Sequence, residues 1–184
     1  VVLVHGSGPN DRDETLGPNK PFKDLAWGLA TRGIAVLRYE KRTRMYGPKL
    51  VADPKLAAFT VKEESIDDAL EAVRSVHEAP GIDKKSVFVL GHSLGGMLIP
   101  RIALAGRSLE IAGFIVMAGL TRPLDETYLQ QMTYLFSLDG ELSPGDKKQL
   151  EEIKAQNAKI QALQDSDRES GEKLLNAPPS YWLD

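Results

Sequence analysis

Ser86-Val-Phe-Val-Leu-Gly91-His-Ser93-Leu-Gly95-Gly96-Met-Leu-Ile99 holds a buried strand, a forced turn and a helix start in immediate succession. Val87, Phe88, Val89 and Leu90 form a short apolar run, as in a parallel strand covered on both faces. Gly91-His92-Ser93-Leu94-Gly95 then matches G-x-S-x-G, the nucleophile elbow, a strained strand-to-helix turn that pushes its serine hydroxyl into the open. A side chain at either flank would collide with the neighbouring strand or helix, so the turn asks for glycine at 91 and 95. Three fixed positions match by chance in roughly 5% of chains of this length. The strand before and the helix after therefore give the match its weight; the rival is a glycine-rich turn with an idle serine.

Outward from the elbow, residues 1–4 read as a buried strand, and His5-Gly6-Ser7-Gly8-Pro9 as the tight loop at its carboxyl end. A polar loop over 10–21 follows. Phe22, Leu25, Ala26, Leu29 and Ala30 recur at helical spacing until Gly33 stops the helix. Residues 34–37 read as a second strand, and the polar, basic, proline-containing stretch 38–55 as a long loop. Ile66, Ala69, Leu70, Val73 and Val76 mark a second amphipathic helix, with Asp67 and Asp68 near its positive end and Pro80-Gly81 closing it.

After the elbow a helix should run from about 95 to 105, and Pro100 within it predicts a kink or a short first segment. Residues 111–117 supply a fourth strand. The alternation implies an α/β fold with a mostly parallel sheet. From Leu120 the pattern changes. Leu124, Tyr128, Met132, Leu135 and Phe136 share one helical face, and Ser143-Pro144-Gly145-Asp146 opens another helix with a capping residue, a first-turn proline and a carboxylate. Leu150, Ile153, Ile160 and Leu163 carry its apolar stripe. The expected organisation is a core over 1–119, a helical cap or lid insertion over 120–177, and the start of a return to the core over 178–184.

The chain has 184 residues, 42% hydrophobic and 27% charged, enough for one sizeable core. A net charge of −3 leaves no electrostatic footprint for nucleic acid or anionic membrane. No apolar stretch reaches the length of a membrane span. The absence of cysteine excludes disulfides, thiolate zinc sites and a cysteine nucleophile. The chain opens on a bare strand without Met and stops beside Tyr181-Trp182, so it is expected to be a piece of a longer protein, with any targeting signal outside it.

A serine nucleophile needs a base, an orienter for that base, and donors aimed at the developing oxyanion. The backbone N–H groups of Leu94 and Ser7 are the expected donors, with Gly6 and Gly8 letting the first loop come close. Both loops face one crevice if the first and third strands are neighbours. The three histidines are His5, His77 and His92. His92 adjoins Ser93 with its ring diverging from the hydroxyl; His5 is expected to hydrogen-bond the two loops together; His77 sits at a helix end. In the elbow's chain order the acid and the histidine follow the serine. No histidine follows Ser93, so this piece is expected to be catalytically incomplete. Asp125 could be an acid in principle, although a first-turn helix carboxylate accounts for it.

The elbow Gly91–Gly96, the loop His5-Gly-Ser-Gly-Pro-Asn-Asp-Arg-Asp-Glu14, Arg38-Tyr-Glu-Lys-Arg42, Gly95-Gly-Met-Leu-Ile-Pro-Arg101 and Tyr181-Trp-Leu-Asp184 together resemble the α/β-hydrolase superfamily. More narrowly, they resemble bacterial carboxylesterases of the dienelactone-hydrolase and prolyl-oligopeptidase-like branch. The resemblance implies that the strands here are strands three to six of a larger sheet, with Ser93 as nucleophile and the later helices as a cap. It also implies a small-molecule ester substrate, an acyl-serine intermediate, and neither a metal nor an organic cofactor. A peptidase, thioesterase or acyltransferase on the same scaffold, and a non-catalytic binding module, stay open. A further expectation is that residues 11–14 pair with Lys41, Arg42 and Arg44 across the crevice mouth and so hold the oxyanion loop in place, the alternative being two independently solvated loops.

Overall fold

The computed structural model describes residues 1–52 and 59–184. Val1–Ala52 with Val61–Gly119 forms one compact unit, and Leu120–Asp184 with Asp53–Thr60 the other. In the first, strands β1 (Val2–Val4), β2 (Phe88–His92) and β3 (Gly113–Met117) form a parallel sheet in the order β1-β2-β3. Val4 pairs with Gly91 and His92 with Met117, so the ends of β1 and β3 flank the elbow. This is the adjacency that the two-loop reading needs.

Leu3 and Leu90 face each other across the ladder and share a cluster with Phe22 from helix α1 (Pro21–Ala30). Strand pleating sends Val2, Val4 and Val89, all buried, to the opposite side. Helix α3 (Asp67–Glu78) packs against β1 and buries Ala69, Leu70, Ala72, Val73 and Val76. β3 is an edge strand whose Phe114, Ile115 and Val116 are exposed.

Two expectations are corrected. Residues 34–37 form no strand: only Leu37 bridges to Val2, through Leu3 N–H to Leu37 O at 3.1 Å and Leu37 N–H to Val1 O at 2.9 Å. Three-residue β1 offers a short edge, and Gly33 turns the chain at φ +77° just before it, leaving Ile34 and Ala35 exposed. The stretch 38–55 is not one loop either. Helix α2 (Arg42–Ala52) occupies much of it, and residues 53–55 lie outside the described residues. Its first turn is anchored by Arg42, whose guanidinium clasps Asp68, and by Thr43 Oγ1 donating to Glu64 Oε1 at 2.9 Å. Those anchors override the poor helix propensity of Gly47 and Pro48.

A π-helical turn, Lys62–Ile66, leads into α3 and buries Glu64, Ser65 and Ile66. Beyond the elbow come two segments, α4 (Leu94–Met97) and α5 (Ile99–Ala105). The break at Leu98 puts Pro100 in the first turn of α5, where its missing N–H is not needed.

The second unit contains α6 (Leu124–Ser137), α7 (Pro144–Gln161) and the short α8 (Pro179–Trp182). Ser143 and Asp146 form a reciprocal capping box at the start of α7. Leu150 and Ile153 are buried. On α6, Tyr128 and Leu135 of the expected apolar face are exposed. Among the described residues no helix is long and apolar enough to cross a membrane.

Candidate active site

Ser93 sits at φ 52° and ψ −117°, a strained conformation for a residue with a side chain. The turn closes with Ser93 N–H donating to Met117 O at 3.0 Å and Met97 N–H to Ser93 O at 2.9 Å. Glycine is required on both sides. A Cβ at Gly91 would lie 2.2 Å from Gly95 O, and one at Gly95 would lie 2.4 Å from Val4 O and 2.6 Å from His5 O. A Cβ at Gly96 would come within 2.7 Å of the Gly119 Cα.

The first loop reaches the serine directly. A Cβ on Gly6 would be 3.2 Å from Ser93 Cβ and 3.6 Å from Ser93 Oγ. Gly8 plays a different part: its φ is +85° with nothing within 4 Å of a Cβ built on it, so conformation rather than close approach calls for glycine. The N–H groups of Ser7 and Leu94 find no acceptor among the described residues. Ser93 Oγ likewise makes no hydrogen bond there. A hydroxyl on a strained turn beside two unengaged N–H groups can attack a carbonyl and offer donors to the oxygen that becomes negative.

Three buried charged residues hold this loop; Glu14 and Lys41 belong to the segments expected to pair across the crevice mouth, and Glu64 is the one that sequence reading did not single out. Glu14, itself at φ 52°, accepts the Gly6 N–H on Oε1 at 2.6 Å. Lys41, 1% exposed, donates from Nζ to Gly6 O at 2.8 Å and lies 3.2 Å from Glu64 Oε2. Burial pulls the Lys41 ammonium below its ordinary pKa, and the carboxylates of Glu64, Glu14 and Asp68 oppose that pull. Asn10 Nδ2 adds donation to Gly6 O at 3.2 Å, Ser7 O at 2.9 Å and Gly8 O at 3.3 Å.

His5 is buried and neither ring nitrogen makes a well-aligned hydrogen bond among the described residues; the Asp11 backbone, in the same loop, favours its charged form without tying it to the elbow, so the expected hydrogen-bonded brace between the two loops is corrected. It braces by packing, with its ring centroid 5.1 Å from Phe22 and edge-on to Tyr39 at 5.0 Å. Burial, against the pull of Glu14 and with the Lys41 charge, lowers its pKa to about 4, so it is neutral near pH 7. His92 turns toward Glu14, with Nδ1 2.9 Å from Oε2 in a close approach that is not an aligned hydrogen bond. The Glu14 carboxylate raises its pKa, against partial burial.

The expected cross-mouth pairs form with different partners. Arg12 Nε meets Glu40 at 2.7 Å, and Arg38 and Lys20 both reach Asp13. Lys41 and Arg42 turn instead to Glu64 and Asp68. Asp125 lies in the first turn of α6, its Oδ2 accepting from Gln161 Nε2 at 3.2 Å and its carbonyl from Asn157 Nδ2 at 2.9 Å. Those helix-to-helix bonds account for its burial.

Residues 1–182 match the alpha/beta hydrolase family. The chain is 45% identical over 184 residues to Esterase EstD of Thermotoga maritima. That match covers 100% of the chain and 40% of the relative, so the chain spans well under half of that relative's length. No solved structure matches it. The three-stranded parallel sheet, the elbow geometry and this match along the sequence agree: the chain belongs to the alpha/beta hydrolase family.

Proposed function

We infer that the chain carries the nucleophile and oxyanion donors of a carboxylic ester hydrolase acting on small-molecule esters. Ser93 Oγ attacks the ester carbonyl carbon while a base takes its proton. The tetrahedral oxygen receives hydrogen bonds from the N–H groups of Leu94 and Ser7. The alcohol departs with the proton, leaving an acyl-serine that water cleaves. The observation that carries this reading is the approach of Gly6 to Ser93 Cβ and Oγ, at 3.2 and 3.6 Å from a Cβ built on Gly6. It sets a loop with an unengaged N–H beside a hydroxyl on a strained turn. The name of the Thermotoga relative supports an ester as substrate.

His5, neutral and packed between aromatic rings, and His92, turned to Glu14, are poor candidates for the base. The proposal assigns the histidine and its acid to parts of the natural protein outside this chain. In the natural full-length protein, Ser93→Ala is expected to lower turnover of p-nitrophenyl acetate at least ~1,000-fold, as removal of a nucleophilic serine does elsewhere. Retained turnover would remove Ser93 from the mechanism. Faster cleavage of matched amides or thioesters would redirect the substrate class, since fold and elbow do not choose the leaving group.

A further inference from the structure

We propose that the buried Lys41–Glu64 pair, acting with Glu14 and Asn10, is a positioning clamp that fixes the Gly6–Ser7 peptide so that Ser7 N–H faces the reacting oxygen. The proposal rests on the reading of Ser93 as nucleophile and goes beyond it by assigning residues that touch neither substrate nor serine.

Gly6 N–H and the carbonyls of Gly6, Ser7 and Gly8 are already committed. Gly6 N–H goes to Glu14, and Gly6 O to Lys41 and Asn10. Ser7 O goes to Asn10, and Gly8 O to Asn10 through both its side chain and its N–H. Ser7 N–H is unengaged among the described residues. In a planar trans peptide the carbonyl of one residue and the N–H of the next point in opposite directions, and the described residues contain no cis peptide. Pulling Gly6 O toward buried Lys41 therefore turns Ser7 N–H away from the interior, on the residue that is itself exposed.

The clamp also acts electrostatically. A cation on the carbonyl polarises the amide and strengthens its N–H as a donor. Glu14, a buried carboxylate one peptide away, would otherwise oppose negative charge developing on the substrate, and Lys41 lies on the same residue's carbonyl to offset it. A buried ammonium is strongly unfavourable unless paired. The π-helical turn supplies that partner by carrying Glu64 inward, and Thr43 Oγ1 holds its other oxygen at 2.9 Å. The Lys41 backbone is tied to the same loop, its N–H donating to Asn10 O at 3.1 Å.

The test compares Lys41→Met, Glu64→Gln and Asn10→Ala in the natural full-length protein. It uses p-nitrophenyl acetate for kcat and KM, and an alkyl trifluoromethyl ketone as an analogue of the tetrahedral oxyanion. Removing one oxyanion donor lowers kcat by about 100- to 1,000-fold in comparable enzymes. Loosening one should lower it about 10- to 100-fold in Lys41→Met and Glu64→Gln, and roughly 3- to 10-fold in Asn10→Ala. KM should stay within about threefold, and the ketone's inhibition constant should rise by the factor by which kcat/KM falls. A merely structural pair would not move the ketone's affinity in step with kcat. Folded variants with unchanged kcat, or with unchanged ketone affinity, overturn the clamp. If Lys41→Met does not fold, Glu64→Gln and Asn10→Ala decide by the same criterion. Ser93→Ala separates the two ideas: if it is inactive while the clamp variants match wild type, only the clamp fails; if it stays active, the nucleophile reading fails and takes the clamp with it.

Discussion

Gly95→Ala probes the approach of the elbow to the end of β1. An alanine Cβ there would lie 2.4 Å from Val4 O, 2.6 Å from His5 O and 2.9 Å from the Val4 carbonyl carbon, against the 3.0 Å below which Cβ contacts are essentially never found. All three are backbone atoms, and Val4 is held in register opposite Gly91, so no side chain can swing aside. The end of β1 and the elbow would have to separate by about 0.6 Å. Overpacking of this kind costs about 1–3 kcal/mol, and the upper end applies where backbone must move. The same shift moves the first loop away from Ser93. A misplacement of ~1 Å can lower turnover ~100-fold, so ~0.6 Å should lower it by roughly tenfold. Guanidinium unfolding and p-nitrophenyl acetate turnover read the two effects. Gly171→Ala is the control: nothing lies within 4 Å of its Cβ position, and the effect should stay within ~0.5 kcal/mol. If Gly95→Ala unfolds at the same denaturant concentration as wild type with the same kcat, the two loops do not meet as described.

Other expectations follow from burial and charge. Phe22, fully buried against Leu3 and Leu90 and stacked near His5, should cost about 3–5 kcal/mol of stability as Phe22→Ala, read by denaturant unfolding; a loss under ~1 kcal/mol would contradict the packing. His5 has a folded pKa of about 4 against an ordinary 6.5, so the unfolded chain takes its proton first. Its contribution is present above pH 6.5 and is lost, by about 3 kcal/mol, as pH falls toward 4. His5→Asn should flatten that part of the pH-stability curve, and an identical slope would count against the buried neutral ring. His92 has the opposite sign: its raised pKa stabilises the fold fully below 6.5, and that stabilisation is lost as pH rises through the raised value. Glu14→Gln should weaken this alkaline-side dependence. Arg12→Ala breaks an exposed pair with Glu40 and should leave the midpoint of denaturant unfolding close to that of wild type.

The elbow was legible because its requirements are local. Gly91, Ser93 and Gly95 stand at fixed spacing between an apolar run and a helix start, and the same backbone strain recurs wherever that turn is built. Pro100 announced a break for the same reason, since a proline's missing donor is felt within one turn. Residues 34–37 misled because an apolar tetrapeptide does not reveal how long an edge its partner offers. α2 was hidden by Gly47 and Pro48, whose local preference yields to anchors on Asp68 and Glu64, about twenty residues away. Glu14 and Lys41 were legible as charges beside the first loop, but their burial and the part of Glu64 were not, since such residues are surface groups by default. Their burial follows from partners that meet only in the folded chain.

The most direct measurement is mass spectrometry of the natural full-length protein after reaction with a fluorophosphonate, which modifies activated serines. One adduct per chain on the peptide containing Ser93, with hydrolysis lost in proportion and no adduct in Ser93→Ala, is the expected result. Full hydrolysis of p-nitrophenyl acetate with no adduct at Ser93, or with the adduct on another serine, would contradict its assignment as nucleophile.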